Sequence, residues 1–169
     1  MSKNHINWWR TSFSEEDIEK VSEAIRNEKL SQGTETQKFE FELQKKLGVP
    51  YVIATTSGSV AILMALMAID LKNGDEVIIP NRTWIAAIHA VLLLGGKPVV
   101  IDVLEELPIM DTSKIKEVIN SRTRAIIPTQ LNGRAVFMDE VWKIAKQNNL
   151  IVIEDSAQGL FSKYKGKFM

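Results

Sequence analysis

Leu150-Ile151-Val152-Ile153-Glu154-Asp155-Ser156-Ala157-Gln158 is a short apolar run that stops at two acids. Its β-branched residues predict a strand buried on both faces, and the abrupt change to Glu154 and Asp155 is what a parallel strand shows where it delivers polar side chains to its carboxyl end. Ligands of open α/β sheets bind at that end. The simpler alternative is that the two acids cap the next helix or face solvent, so the chain before them has to decide.

Upstream, strand and helix patterns alternate. Ser14 before Glu15, Glu16 and Asp17 marks a helix start, and Ile18, Val21 and Ile25 follow at helical spacing to about Lys29. Phe39, Leu43 and Leu47 mark a second helix, closed by Gly48 and Pro50. Tyr51 to Thr55 reads as a first strand, followed by Thr56-Ser57-Gly58-Ser59 and an apolar helix from Val60 to Ile69. Strands are then expected at Glu76 to Ile79, Pro98 to Val103 and Arg124 to Pro128, with helices at Ile85 to Leu94, from a Ser113 cap to Asn120, and at Phe137 to Gln147. This alternation predicts an α/β fold with a largely parallel sheet, one domain over 1–169 with a helical segment at 1–50. Trp8 and Trp9 precede any regular pattern and could pack on the domain or on a second subunit.

Composition narrows the classes of function. The chain has 169 residues, of which 45% are hydrophobic and 25% charged, enough for a proper core. Lys plus Arg and Asp plus Glu are both 21, and no basic block follows a phosphate backbone, so nucleic acid is not the expected partner. With no cysteine and only His5 and His89, the usual zinc ligand sets are lacking and no metal site is expected; His89 reads as structural. The amino terminus has no apolar core of signal-peptide length and no run reaches membrane-spanning length, so the expectation is a soluble, unprocessed, cytoplasmic protein with no membrane contact.

Three features fall at one sheet edge if all strands are parallel. Thr56-Ser57-Gly58-Ser59 sits between a strand and the first turn of a helix, where free N–H groups, hydroxyls and the helix dipole suit a phosphate; a plain helix cap is the alternative. Trp84 follows the second strand and can lie flat on an aromatic ligand, or can simply cover the sheet. Asp155 supplies an acid. A phosphate cradle, a flat aromatic and an acid describe a site for a phosphorylated planar cofactor; pyridoxal phosphate suits it because a carboxylate keeps the ring nitrogen protonated, and a flavin mononucleotide fits the same three features.

The residues resemble the DegT/DnrJ/EryC1/StrS sugar aminotransferases. The likeness is carried by Leu30-Ser31-Gln32-Gly33 with Phe39-Glu40, Thr56-Ser57-Gly58-Ser59-Val60-Ala61, Gly74-Asp75-Glu76-Val77-Ile78-Ile79-Pro80 and Thr83-Trp84-Ile85-Ala86. It continues in Gly96-Lys97-Pro98-Val99, Leu131-Asn132-Gly133, Glu154-Asp155-Ser156-Ala157-Gln158 and Tyr164-Lys165-Gly166-Lys167. The resemblance implies the amino-terminal part of the large domain of the aspartate aminotransferase fold, a three-layer sandwich with a mostly parallel sheet. It implies that Ser57, Gly58 and Ser59 hold the phosphate of pyridoxal 5'-phosphate, that Trp84 stacks on its ring, that Asp155 pairs with the ring nitrogen, and that Gln158 lies near the phenolic oxygen. The implied reaction moves an amino group, usually from glutamate, onto the keto carbon of a nucleotide-linked deoxysugar bound for surface polysaccharide such as lipopolysaccharide or for glycosylated metabolites, in a homodimer.

Members of the family are about twice this length, and their Schiff-base lysine lies beyond the Tyr-Lys-Gly-Lys segment. Lys163, Lys165 and Lys167 align with a surface turn, so no catalytic lysine is assigned in this chain. A truncated or fragmentary enzyme is the leading expectation. The alternatives are an inactive cofactor- or nucleotide-sugar-binding subunit and a pyridoxal phosphate-dependent sugar dehydratase relative.

Overall fold

A computed structural model describes residues 10–169. Trp8, Trp9 and His5 lie outside the described residues. The chain divides into two compact units, one through Ala54 and one from Thr55 to Met169.

The first unit carries α1 (Glu15–Arg26) and α2 (Thr34–Leu47). Ser14 caps α1 through a reciprocal box: its hydroxyl accepts from the Asp17 N–H, and the Asp17 carboxylate accepts from the Ser14 N–H. That bonding lowers the pKa of Asp17. Gly48 ends α2 in the left-handed conformation, φ 69°. The strand expected at Tyr51 to Thr55 is not formed. Among the described residues no strand pairs with this segment; Ala54 N–H donates to the Glu40 carboxylate at 2.8 Å, and Tyr51 and Ile53 stand exposed. An apolar run becomes a strand only where a second backbone is available.

The second unit is a three-layer α/β sandwich. Its sheet has four parallel strands, β1 (Glu76–Pro80), β2 (Lys97–Ile101), β3 (Thr123–Ile126) and β4 (Ile151–Val152), in the order β2-β1-β3-β4. Between them run α3 (Gly58–Ala68), α4 (Ala86–Leu93), α5 (Thr112–Val118) and α6 (Met138–Gln147). The period of two decides the layers. Val77, Ile79, Ala125 and Ile127 pack with Leu66, Ala87, Ala90 and Val91 of α3 and α4. Ile78 and Ile126 point the other way, onto Ile115 of α5 and Val141, Ile144 and Ala145 of α6. Burial of β1 on both faces accounts for its unbroken apolar run.

Smaller differences from the sequence reading have local causes. The cap of α5 is Asp111 and not Ser113, because the Asp111 carboxylate accepts both the N–H and the hydroxyl of Ser113. His89 lies on α4 and is exposed. Lys165 and Gly166, both with positive φ, make the tight turn of a two-stranded hairpin, β5 (Lys163–Tyr164) with β6 (Lys167–Phe168). No helix among the described residues is long and apolar enough to cross a membrane.

Candidate active site

The carboxyl ends of β1, β3 and β4 open toward the amino terminus of α3. Between them lies a cavity of about 590 Å³ lined by Gly58, Ser59, Trp84, Asp155 and Gln158, with Ile153 and Ala86 at its apolar side. That volume lies within the range of small-molecule sites. Ser57 does not line it.

Ser57 is the cap of α3, and its Oγ accepts from the Val60 N–H at 3.2 Å. The cap and cradle readings are therefore compatible: the hydroxyl keeps its own proton for donation, while the N–H groups of Gly58 and Ser59 have no partner among the described residues. A Cβ built on Gly58 meets nothing within 4 Å, so the space in front of this helix end is open. The helix end, two free N–H groups and the Ser59 hydroxyl are a donor set for a phosphate.

Trp84 borders the cavity and is 71% exposed, so its indole is open to a ligand. Its loop is tied down one residue earlier, where the hydroxyls of Thr83 and buried Thr129 lie 2.9 Å apart.

Beyond β4 the pairing with the β3 strand continues irregularly: Asp155 N–H donates to Pro128 C=O at 2.9 Å, and Gln130 N–H donates to Asp155 C=O at 3.0 Å. These bonds hold the Asp155 backbone at the sheet edge. Its Oδ1 accepts from the Ala157 N–H at 3.2 Å, and Oδ2 has no partner among the described residues. One carboxylate oxygen thus orients the group and the other is available to a ligand. Gln158 is oriented too. Its Oε1 accepts from the Asn132 N–H at 2.7 Å, which leaves its NH₂ as the end that can donate elsewhere. Asn132 supplies that N–H from the left-handed region, φ 56°.

Glu154 borders the cavity and also a second hollow under the hairpin. Its Oε1 is occupied by Gln130 Nε2 at 2.7 Å and Ser156 Oγ at 3.2 Å. The sequence reading misses Gln130 and Thr129, although they follow Ile126-Ile127-Pro128 as Glu154-Asp155 follows Ile151-Val152-Ile153. The same rule, an apolar strand ending in a polar pair, finds both.

Another cavity, of about 470 Å³, lies at the opposite edge among Asp70, Asp75, Asn120, Arg122 and Arg124. Its charges are already paired: Arg122 with Glu76, Arg124 with Ile69 C=O, and Asp75 with the Lys72 N–H. It offers a ligand far less than the α3 cavity does.

A model of the DegT/DnrJ/EryC1/StrS aminotransferase family matches residues 11–169. Over 166 residues the chain is 35% identical to the GDP-perosamine synthase of Escherichia coli O157:H7, covering 98% of this chain and 46% of that one. Among solved structures, the aminotransferase from Psychrobacter cryohalolentis superposes with a TM-score of 0.89 at 34% identity, over 94% of this chain and 40% of that one. NtdA from Bacillus subtilis, solved with bound cofactor PMP, gives 0.84 at 36% identity, over 89% and 35%. The chain spans about half the length of the curated relatives it matches.

Proposed function

This chain belongs to the DegT/DnrJ/EryC1/StrS aminotransferase family, and from that premise we propose that it forms the cofactor-binding face of a pyridoxal phosphate-dependent aminotransferase acting on a nucleotide-linked keto-deoxysugar. Both units then belong to one transferase large domain, and glutamate is the amino donor of a cytoplasmic homodimer. The observation that carries the reading is that Gly58, Ser59, Trp84, Asp155 and Gln158, drawn from three separate segments, border one cavity.

The donor set fits the group. Gly58 and Ser59 N–H groups and the Ser59 hydroxyl would hold the phosphate at the positive end of α3, and the Ser57 hydroxyl, which caps the helix from outside the cavity lining, would reach it only from the rim. Trp84 would lie against the ring and exclude water from one face. Asp155 Oδ2 would hold a proton on the ring nitrogen, and the Gln158 NH₂ would donate to the phenolic oxygen. Pyridoxal phosphate, when bound, supplies an electron sink for bonds broken at the carbon bearing the amino group. An ion pair at Asp155 would keep that sink effective, because a protonated ring nitrogen draws electrons more strongly than a neutral one.

The covalent lysine is assigned to none of the described residues. No lysine lines the cavity, and Lys165 of the hairpin is paired with Asp139, which raises its pKa and keeps its amine protonated and non-nucleophilic. Pyridoxal phosphate added to the purified chain is therefore expected to bind saturably and without a covalent bond, to be displaced by excess inorganic phosphate, and to leave no stoichiometric lysine adduct after borohydride reduction. Absence of binding, or a stoichiometric adduct on Lys163, Lys165 or Lys167, overturns the reading.

A further inference from the structure

Gln130 is fully buried, and both polar atoms of its side chain have partners of fixed chemistry. The Val136 N–H can only donate, so it fixes Oε1 at 2.7 Å; the Glu154 carboxylate, as an ion, can only accept, so it fixes Nε2 at 2.7 Å. The backbone of the same residue donates to Asp155 C=O. Gly159 closes over it: a Cβ there would approach Gln130 Cβ to 2.8 Å. One residue thus ties the loop of Asn132 and Val136 to the segment of Glu154, Asp155 and Gly159. Those two segments hold both ends of the Asn132 to Gln158 bond.

We propose that Gln130 is a positioning residue of the cofactor site, its amide clamped between Val136 N–H and Glu154 so that Asp155 and Gln158 are held at the cavity in one register. Hydrocarbon of similar size cannot do this. A methionine at 130 fills the volume but leaves the buried Val136 N–H without a partner and Glu154 Oε1 with Ser156 alone, and a glutamate sets two carboxylates against each other. Exchanging the two groups keeps every contact and reverses two of them. A carboxylate at position 130 would accept from the Val136 N–H and from the amide NH₂ now at position 154, and that same NH₂, standing where Glu154 Oε1 stood, would donate to the Ser156 hydroxyl, which can accept as well as donate.

The inference rests on the cofactor reading above, so its test has one arm that needs the cofactor and one that does not. In pyridoxal phosphate titrations followed by induced visible circular dichroism, Q130M and Q130E should weaken binding roughly tenfold to hundredfold, and the exchanged pair Q130E/E154Q should recover most of that loss. In the cofactor-free chain, hydrogen exchange at the Val136 and Asn132 amides should accelerate by about tenfold or more in Q130M and Q130E and return toward wild type in the exchanged pair. Rescue by exchange is not expected of a residue that merely fills space. If wild type binds no cofactor while the exchange pattern holds, the cofactor reading fails and the positioning role stands. If both single variants exchange and bind as wild type does, or if the exchanged pair is no better than Q130E, the positioning role is wrong.

Discussion

Asp155→Ala is expected to weaken pyridoxal phosphate binding about a hundredfold, and Asp155→Asn about tenfold, with little change in the melting temperature of the cofactor-free chain. The difference follows from what each oxygen does. Oδ1 satisfies the Ala157 N–H, and Oδ2 is without a partner among the described residues. Asparagine keeps the first bond and replaces the charge at the second, so it loses the ionic part of a charge-assisted hydrogen bond, on the order of 1.5 kcal/mol; alanine loses the whole contact, on the order of 3 kcal/mol. A visible spectrum of bound cofactor separates the charge effect from simple loss of affinity. In wild type the ring nitrogen should stay protonated well above the pH at which it titrates in free solution, and in the asparagine variant that protection should be gone. Equal affinity and equal spectra in all three proteins would remove Asp155 from the site.

The second large effect is at the other end of the sheet. Glu76 begins β1 and is almost completely buried; its carboxylate accepts from Asn120 Nδ2 at 2.7 Å, from Arg122 Nη2 at 2.9 Å and Nε at 3.1 Å, and from Lys97 at 3.3 Å. Lys97 is its register partner on β2, and Asn120 and Arg122 immediately precede β3, so one carboxylate joins the amino-terminal ends of three strands. The hydrogen bonds from Asn120, then Arg122, then Lys97 lower its pKa from 4.5 to about 2. A carboxyl that is more acidic folded than unfolded stabilises the fold above about pH 4.5, and that contribution drains away as pH falls toward about 2. Glu76→Ala is expected to cost about 2 kcal/mol at neutral pH. That is below the full cost of breaking a buried ion pair, because the Arg122 and Lys97 side chains are 62% and 66% exposed and stay hydrated. Urea denaturation should show a lower midpoint with the same slope, and the variant should lose less stability than wild type between about pH 4.5 and about 2. An unchanged midpoint, or parallel acid curves, would show that the clamp carries no stability.

Local signals in the sequence are strongest where one residue decides the outcome. The Ser14 start with its acidic first turn, the Gly48 terminator and the unbroken apolar run of β1 each have a short-range physical cause, and each is found in the fold. The layers and the parallel order follow from such runs alternating with helices over short connections. Tyr51 to Thr55 misleads for the complementary reason: a strand is a property of two backbones, and no sequence pattern supplies the second. Ser113 and Asp111 are both eligible caps two residues apart, and geometry alone chooses between them.

At the candidate site the residues on strand ends and at the helix start are legible because chemistry and topology coincide there. The bonds of the supporting residues are not. Gln130, Thr129 and Asn132 act through bonds to residues 24, 46 and 26 positions away, and although the apolar strand before Thr129 and Gln130 marks those two as strand-end residues, it does not name their partners. Glu76 reads only as the first residue of a strand, since its importance depends on Asn120 and Arg122, far along the chain.

The central claim is that pyridoxal phosphate binds between the start of α3 and the end of β4, and amide chemical shifts of the labelled chain test it most directly. On titration with pyridoxal phosphate, the amides of Gly58, Ser59 and residues 155–158 should move together and saturate at one common dissociation constant, with the Trp84 indole N–H following them. Saturable shifts confined instead to the Asn120, Arg122 and Arg124 cavity at the opposite sheet edge, or no saturable shifts at all, would contradict it.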